Sequence, residues 1–355
     1  MSIGDVGTVS FTGQTVAKWD SNIFRQENGE VSDKSLTFSP GLSAIFGRNA
    51  SNLDIGASTS LDFVRYQDRD ELDSELFHFQ TTAAYQSGRI QSSAMYSFDE
   101  SKSNNELTNV AGDLVERESE KINLSAEYTL SPKFSFKLGH EIDDAVYTGT
   151  YAATFSDRAY TRTPVNVFYE LTPKLDLSFG YVRADIDVDG SSNDATTDTF
   201  NVGFRGELLP KLTGNLKVGF VDYENEGGTR DETTLSLKAD LNWKVSSKIS
   251  HRLDLFRDFD AASTGFGTAE TKVRWNTSYA LDSKTLLSGR VGYNIRDYLS
   301  SNREDSLLTL GLNGSYRLNN YWNLNAGYVF SKNDSNLDGS SYDDNIITFS
   351  AAITY

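Results

Sequence analysis

The chain has 355 residues, 38% of them hydrophobic, with 50 acidic against 33 basic side chains and a formal net charge of −17. No run approaches the roughly 20 consecutive apolar residues of a helical membrane span, and the acidic balance does not suit a nucleic-acid binder. Cysteine is absent, which removes disulfides and thiolate metal centres.

In chain order, alternating apolar/polar runs predict strands over 7–19, 35–46, 51–66, 74–85, 90–99, 117–130, 134–147, 158–170, 175–187, 197–208, 212–224, 233–244, 249–259, 268–281, 285–298, 305–318, 322–330 and 342–355. That is eighteen, and most are long enough to cross a bilayer when tilted. The negative mean hydropathy fits this reading, because only alternate residues of a transmembrane strand face lipid. Eight of the runs end in an aromatic: Phe46, Tyr85, Tyr128, Tyr169, Trp243, Tyr279, Tyr316 and the last residue, Tyr355. These are the expected aromatic girdle of an all-β, up-and-down antiparallel barrel, read as one domain over 1–355. A soluble propeller has a similar period, but its blades use four short strands.

The turns repeat as well. Leu130-Ser-Pro-Lys-Phe134, Leu171-Thr-Pro-Lys-Leu175, Leu208-Leu-Pro-Lys-Leu212, Val245-Ser-Ser-Lys-Ile249, Leu281-Asp-Ser-Lys-Thr285 and Leu318-Asn-Asn-Tyr-Trp322 begin 41, 37, 37, 36 and 37 residues apart, one long hairpin each. Short and long connections alternate, eight turns with nine loops, so both chain ends fall on the short-turn, periplasmic side. The turns carry Arg48, Arg89, Lys133, Lys174, Lys211, Lys248 and Lys284 against the single acid Asp282. The long loops are acidic, as over 99–120 with seven acids and two bases, and read as a solvated outer surface sharing divalent cations with lipid phosphates. Met1-Ser-Ile-Gly-Asp5 carries no basic and apolar leader, so the chain is read as mature, its signal peptide removed.

Parity divides the strands into two faces. On 233–244 the lipid side takes Leu235, Leu237, Ala239, Leu241 and Trp243, and the lumen takes Ser236, Lys238, Asp240, Asn242 and Lys244. The expected interior is polar and wet, too wide for side chains to fill, with no separate plug domain. From the eleventh to the sixteenth strand the inward set contains Lys217, Lys238, Lys244, Arg252, Lys272, Arg274, Arg290, Arg296 and Arg317, with the acids Asp240 and Asp254. Opposite stand Asp54, Asp62 and Glu127 with fewer bases. A basic wall facing an acidic one sets a transverse field, and a one-sided basic stripe favours anionic solutes or sugar acids. Hydrated charges without selective function are the plainer reading.

Three further features are weighed. The third long loop, 100–116, has Leu107, Val110, Ala111 and Leu114 at helix-like spacing, which makes Glu106, Asp113 and Glu116 candidate constriction residues if it folds inward, against a mobile outer loop. Asp185-Ile-Asp-Val-Asp-Gly190 opens like a calcium loop, but Thr196 stands where a bidentate Glu is required. Asp185, Asp187 and Asp189 therefore remain candidates only for loosely held Ca²⁺, beside a solvated acidic strand end. Of the three histidines, His78 faces the lumen with no carboxylate on its own strand, and parity puts His140 and His251 towards lipid. Gly265-Phe-Gly267 sits in a tight loop without a phosphate-binding motif. No residue is assigned to bond-making, and no cofactor is implied.

The segment Trp19-Asp-Ser-Asn-Ile-Phe-Arg25, then Ser32-Asp33 and Leu36-Thr-Phe-Ser-Pro-Gly-Leu42, resembles the start of the Putative beta-barrel porin 2 family. The resemblance implies a bacterial outer-membrane pore associated with exopolysaccharide or capsule export. Its partners would be outer-membrane lipids and lipopolysaccharide, periplasmic polysaccharide-export proteins and the barrel assembly machinery, with no nucleic acid. The C-terminal strand ending in Tyr355 resembles the signal read by that machinery, which more often ends in Phe. Three readings stand: an export pore for a polysaccharide or anionic saccharide, an unspecific small-solute porin, and a non-conducting scaffold. Inward aromatics are few and scattered, at Tyr66, Phe168, Tyr223 and Phe256, which argues against a stacking track for neutral sugars.

Overall fold

A computed structural model describes residues 2–3, 7–47, 52–104, 110–190, 194–225, 231–261, 267–299 and 301–355. Arg48, Glu106, Leu107, Gly265 and Phe266 lie outside the described residues. The chain forms a closed antiparallel barrel of eighteen strands. In chain order these are β1 (Gly7–Asp20), β2 (Asp33–Phe46), β3 (Leu53–Tyr66), β4 (Ser74–Ser87), β5 (Ile90–Lys102), β6 (Glu116–Ser131), β7 (Phe134–Thr148), β8 (Arg158–Thr172), β9 (Leu175–Val188), β10 (Ala195–Leu209), β11 (Leu212–Asn225), β12 (Glu232–Lys244), β13 (Ile249–Ala261), β14 (Gly267–Ala280), β15 (Thr285–Tyr298), β16 (Glu304–Arg317), β17 (Trp322–Ser335) and β18 (Tyr342–Thr354). Each pairs with its neighbour in sequence, and β18 closes on β1 from Ile346 opposite Asp20 to Thr354 opposite Thr12. A two-residue strand, Ser2–Ile3, adds to β1 opposite Thr8 and Gly7. The main departure from the sequence expectation is length at the loop end. β17 continues to Ser335, because backbone pairing persists above the apolar band, where alternation of polarity no longer marks the strand.

The outer surface is apolar, as a lipid-facing wall requires. Phe11, Phe200, Phe220, Leu312 and Phe349 are each at least 60% exposed, at positions whose neighbours in sequence point inward. At the turn end, Tyr85, Tyr128, Tyr169, Trp243, Tyr316 and Tyr355 are exposed, while Phe46 and Tyr279 are half-buried in the same outward row. His251 joins this belt, its ring 5.5 Å from Trp243 and 5.2 Å from Trp275, with Nδ1 2.9 Å from Thr277 Oγ1.

The repeated turn lysines have a structural use. The carbonyls of Lys133, Lys174, Lys211, Lys248 and Lys284 accept N–H bonds from Glu170, Glu207, Lys244, Ala280 and Arg317, so each turn extends the ladder of the next hairpin. Two ammonium groups reach the same neighbours, Lys174 2.7 Å from Glu207 and Lys133 3.6 Å from Glu170, while those of Lys211 and Lys248 bond the carbonyls of Val245 and Leu281. The prolines outside the turns interrupt the ladder, as a residue without an N–H must. Pro164 on β8 is accommodated because it faces Gly139, where an added Cβ would come within 2.7 Å of the proline ring.

At the loop end, two apolar clusters fold over the barrel. Ile23, Phe24, Leu72 and Leu114 join the first three long loops, with Val31 and Tyr66 against them. Ile186, Val188, Ala195, Val221, Tyr223, Phe259 and Leu299 form the second, from the loop ends of β9, β10, β11 and β13 and the residue after β15. The interior is therefore not uniformly wet. Asn22 is fully buried and staples the first loop, donating from Nδ2 to the carbonyls of Gln26 (2.9 Å) and Asp343 (3.0 Å) and accepting from the Gln26 N–H. Phe24 is 1% exposed, with Arg69 5.1 Å above its ring and Asn104 Nδ2 donating to its carbonyl. Phe24→Ala is expected to cost the loop cluster about 3–5 kcal/mol and leave the strands intact. Limited proteolysis of the folded barrel should then show new cleavage in the first loop, and an unchanged digestion pattern would rule this out.

Candidate functional site

The inward positions of β11 to β16 form a lattice of charge set by strand register. One hydrogen-bonded row runs Lys217, Lys238, Phe256, Lys272 and Asn294 across β11 to β15. The next row towards the turns runs Asp240, Asp254, Arg274 and Gly292, and the one after it Asn242, Arg252, Asn276 and Arg290. Adjacent rows therefore place acids and bases within reach of each other.

Much of the basic wall is neutralised there. Arg252 donates to Asp240 at 2.6 Å and to Asp254 at 2.9 Å. Glu270, 1% exposed, takes Lys272, Arg296 at 2.7 Å and Asn294 at 2.8 Å. Buried carboxylates persist only when so compensated. Arg274, Arg290 and Arg317 differ: they are exposed to the lumen and make no ion pair with any described residue. Lys238 and Lys244 are likewise exposed and without an ion pair among the described residues. Arg274 and Arg290 line one cavity of about 390 Å³ together with Lys272, Arg296, Asn294 and Phe256.

The residues expected on the acidic side are distributed differently from one another. Asp54 is exposed with no ion pair among the described residues. Asp62 lies 3.5 Å from His78 Nε2, and Asp99 lies 3.0 Å from His78 Nδ1. The carboxylates beside His78 thus come from β3 and β5, which its own strand could not reveal. Glu127 on β6 meets Arg205 on β10 through two bonds of 2.8 and 3.0 Å, and Arg205 also holds Asp176 of β9 at 2.8 Å. Its guanidinium lies 3.5 Å from the centre of the Phe168 ring.

That contact shapes the barrel. In a round barrel of eighteen strands, positions four strands apart lie on the order of 20 Å from one another, farther than an arginine and a glutamate reach together. The wall from β6 to β10 must bend inward, which narrows the lumen on that side. Arg205, Arg162 and Lys137 belong to the same inward wall and are absent from the sequence expectation. They sit at inward positions of β10, β8 and β7, so parity alone could have found them. With them, basic residues line both sides of the interior. Arg162 pairs with Glu141 at 3.2 Å, and Lys217 donates to Asn166 Oδ1.

Of the third loop's candidate acids, Asp113 and Glu116 are engaged locally. In its described part, Asp113 accepts the Leu114 N–H at 2.8 Å and Glu116 pairs with Lys102 at 3.3 Å, while Leu114 packs against the first two loops. The calcium candidates do not gather into a site. Asp185 is directed outward and lies 3.4 Å from Arg183, whose other contact is Asp198 at 2.8 Å. Asp187 and Asp189 are exposed. Among the described residues, no three His, Cys, Asp or Glu side chains are grouped to hold a metal ion.

Compared with known proteins, residues 9–355 match the model of the Putative beta-barrel porin 2 family. The chain belongs to that family. Its fold is similar to that of the outer membrane protein OpdK from Pseudomonas aeruginosa, with a TM-score of 0.52 and 9% identity over 98% of this chain and 99% of that one. OccAB4 of Acinetobacter baumannii superposes with a TM-score of 0.51 and 10% identity over 100% of both chains. A BenF-like porin from Pseudomonas fluorescens Pf-5 does so with a TM-score of 0.51 and 10% identity over 99% of both. At such identities the likeness concerns the fold. No protein of curated function matches the chain. The family and the fold together make this a porin-like barrel of the bacterial outer membrane.

Proposed function

We propose that this barrel is an outer-membrane pore for an anionic saccharide, with an exported polysaccharide as the cargo implied by the first-loop motif. The observation that carries the reading is the pair Arg274 and Arg290. They stand on adjacent strands beside one cavity and make no ion pair with a described residue, since Asp254 in its lining is bonded to Arg252, while Lys272 and Arg296 around them are compensated. Two forked guanidinium groups free of internal partners are suited to carboxylate and hydroxyl groups of a passing acidic sugar. Periplasmic export proteins are the partners this reading requires.

A small-solute diffusion pore is the second reading, and the contact between Arg205 and Glu127 favours it, since a bridged lumen admits a narrower solute. Planar-bilayer recordings separate the two. The export reading expects an anion-preferring conductance that an acidic oligosaccharide blocks at the level of single channels. A conductance indifferent to the oligosaccharide would favour the diffusion pore, and no conductance at all would favour a scaffold.

A further inference from the structure

We propose a second anion subsite in the lumen, formed by Lys137, Lys217 and Lys238 and divided from the Arg274 and Arg290 subsite by Phe256. The ligand is then a polyanionic saccharide with at least two acidic units, a conclusion that rests on the reading above and narrows its substrate class. The subsite is a cavity of about 440 Å³ enclosed between β6 to β8 and β9 to β13, within the size range of small-ligand pockets.

Its charge is unbalanced. Six basic side chains line it against three carboxylates, and one of those, Asp240, is taken by Arg252 from outside the cavity. Arg162 and Arg205 are committed to Glu141, Glu127 and Asp176. Lys217 stands directly opposite Lys238 in the strand register, and Lys137, Arg162 and Arg205 line the same cavity. Among the described residues the Lys217 ammonium meets only a neutral amide, Asn166 Oδ1. Gathering like charges in a partly enclosed cleft is costly unless an anion joins them, and compact ammonium groups suit the concentrated charge of an acidic substituent.

The neutral lining fits a sugar. Asn166 and Asn201 lie side by side over Gly180, where an added Cβ would come 2.7 and 2.5 Å from their Oδ1 atoms. Asn201 Oδ1 is buried with no hydrogen-bond partner among the described residues, an unmet acceptor that a rotation of its side chain would present to a sugar hydroxyl. Phe256 borders both cavities and sits in the register row between Lys238 and Lys272. Its ring offers an apolar plate at the junction, where consecutive units of one chain would pass.

The test is equilibrium binding of galacturonic acid, digalacturonate and trigalacturonate to the folded barrel in detergent, with maltotriose as the neutral control. Joining two subsites through one ligand should make trigalacturonate bind about 10²-fold more tightly than the monomer. Lys217→Gln with Lys238→Gln should remove that advantage, with circular dichroism confirming the strand content. The chain-length comparison on the unsubstituted protein needs no variant. If the monomer binds but the trimer gains nothing, or if the double substitution leaves the gain intact, the second subsite is overturned and the pore reading survives. If no uronate of any length binds, both fall.

Discussion

Replacing Arg205 with alanine is expected to raise single-channel conductance by roughly half again to twofold and to move selectivity towards cations. Arg205 ties β10 to β6 through Glu127 and to β9 through Asp176, and it covers Phe168. Without it the contact from Lys217 to Asn166 is left to hold that part of the lumen, so the bent wall is freer to relax outward and two carboxylates face the solute. The sign of the selectivity change follows from that charge balance. A charge-assisted contact of this kind contributes about 1.5–3 kcal/mol per bond, so the variant should also melt earlier. Glu127→Gln separates width from charge. It keeps an acceptor for Arg205 and removes one negative charge, so conductance should stay near the starting value while anion preference rises. An unchanged conductance in Arg205→Ala would mean that the contact does not limit the path.

Reversing Arg274 and Arg290 together to glutamate should invert ion preference. The pair changes the local charge by four units in a wall where neither residue makes an ion pair with a described residue, and the nearest carboxylate, Asp254 opposite Arg274, is already bonded to Arg252. Potentials of several kT set counter-ion concentration in such clefts, and a shift in the anion-to-cation permeability ratio on the order of tenfold or more is expected. The measurement belongs at about 0.1 M salt, where the screening length is about 10 Å, because at 1 M it falls to about 3 Å and hides the effect. Arg252→Glu serves as the comparison. Arg252 is already balanced by Asp240 and Asp254, and its reversal should disturb folding more than selectivity. Equal selectivity shifts from the two variants would show that internal pairing does not decide which arginines a solute meets.

The contrast between those arginines marks where the sequence stops being informative. Parity places Arg252, Arg274, Arg290 and Arg296 on one face, and all four do point inward. Which of them is paired is decided by side-chain geometry on top of register: Asp254 stands opposite Arg274 yet bonds Arg252, while Glu270 stands opposite Arg296 and bonds it. The first-loop motif shows the same division. Its residues carry the family resemblance, but the reason for them appears only when Asn22 bonds to Asp343 and Phe24 packs on Leu72 and Leu114.

What the sequence by itself determined is the wall: eighteen strands, their faces, the girdle, the alternation of turn and loop, and the side on which the chain ends meet. These follow from a period of two and from turn chemistry, both local along the chain. The tertiary structure alone decided the interior: the bridge from Arg205 to Glu127, the carboxylates around His78, and the apolar clusters beneath the loops. Such contacts join residues as far apart as 78 and 321 positions in sequence. They exist only because closing and bending the sheet brings distant inward faces together, a geometry that no alternation pattern encodes.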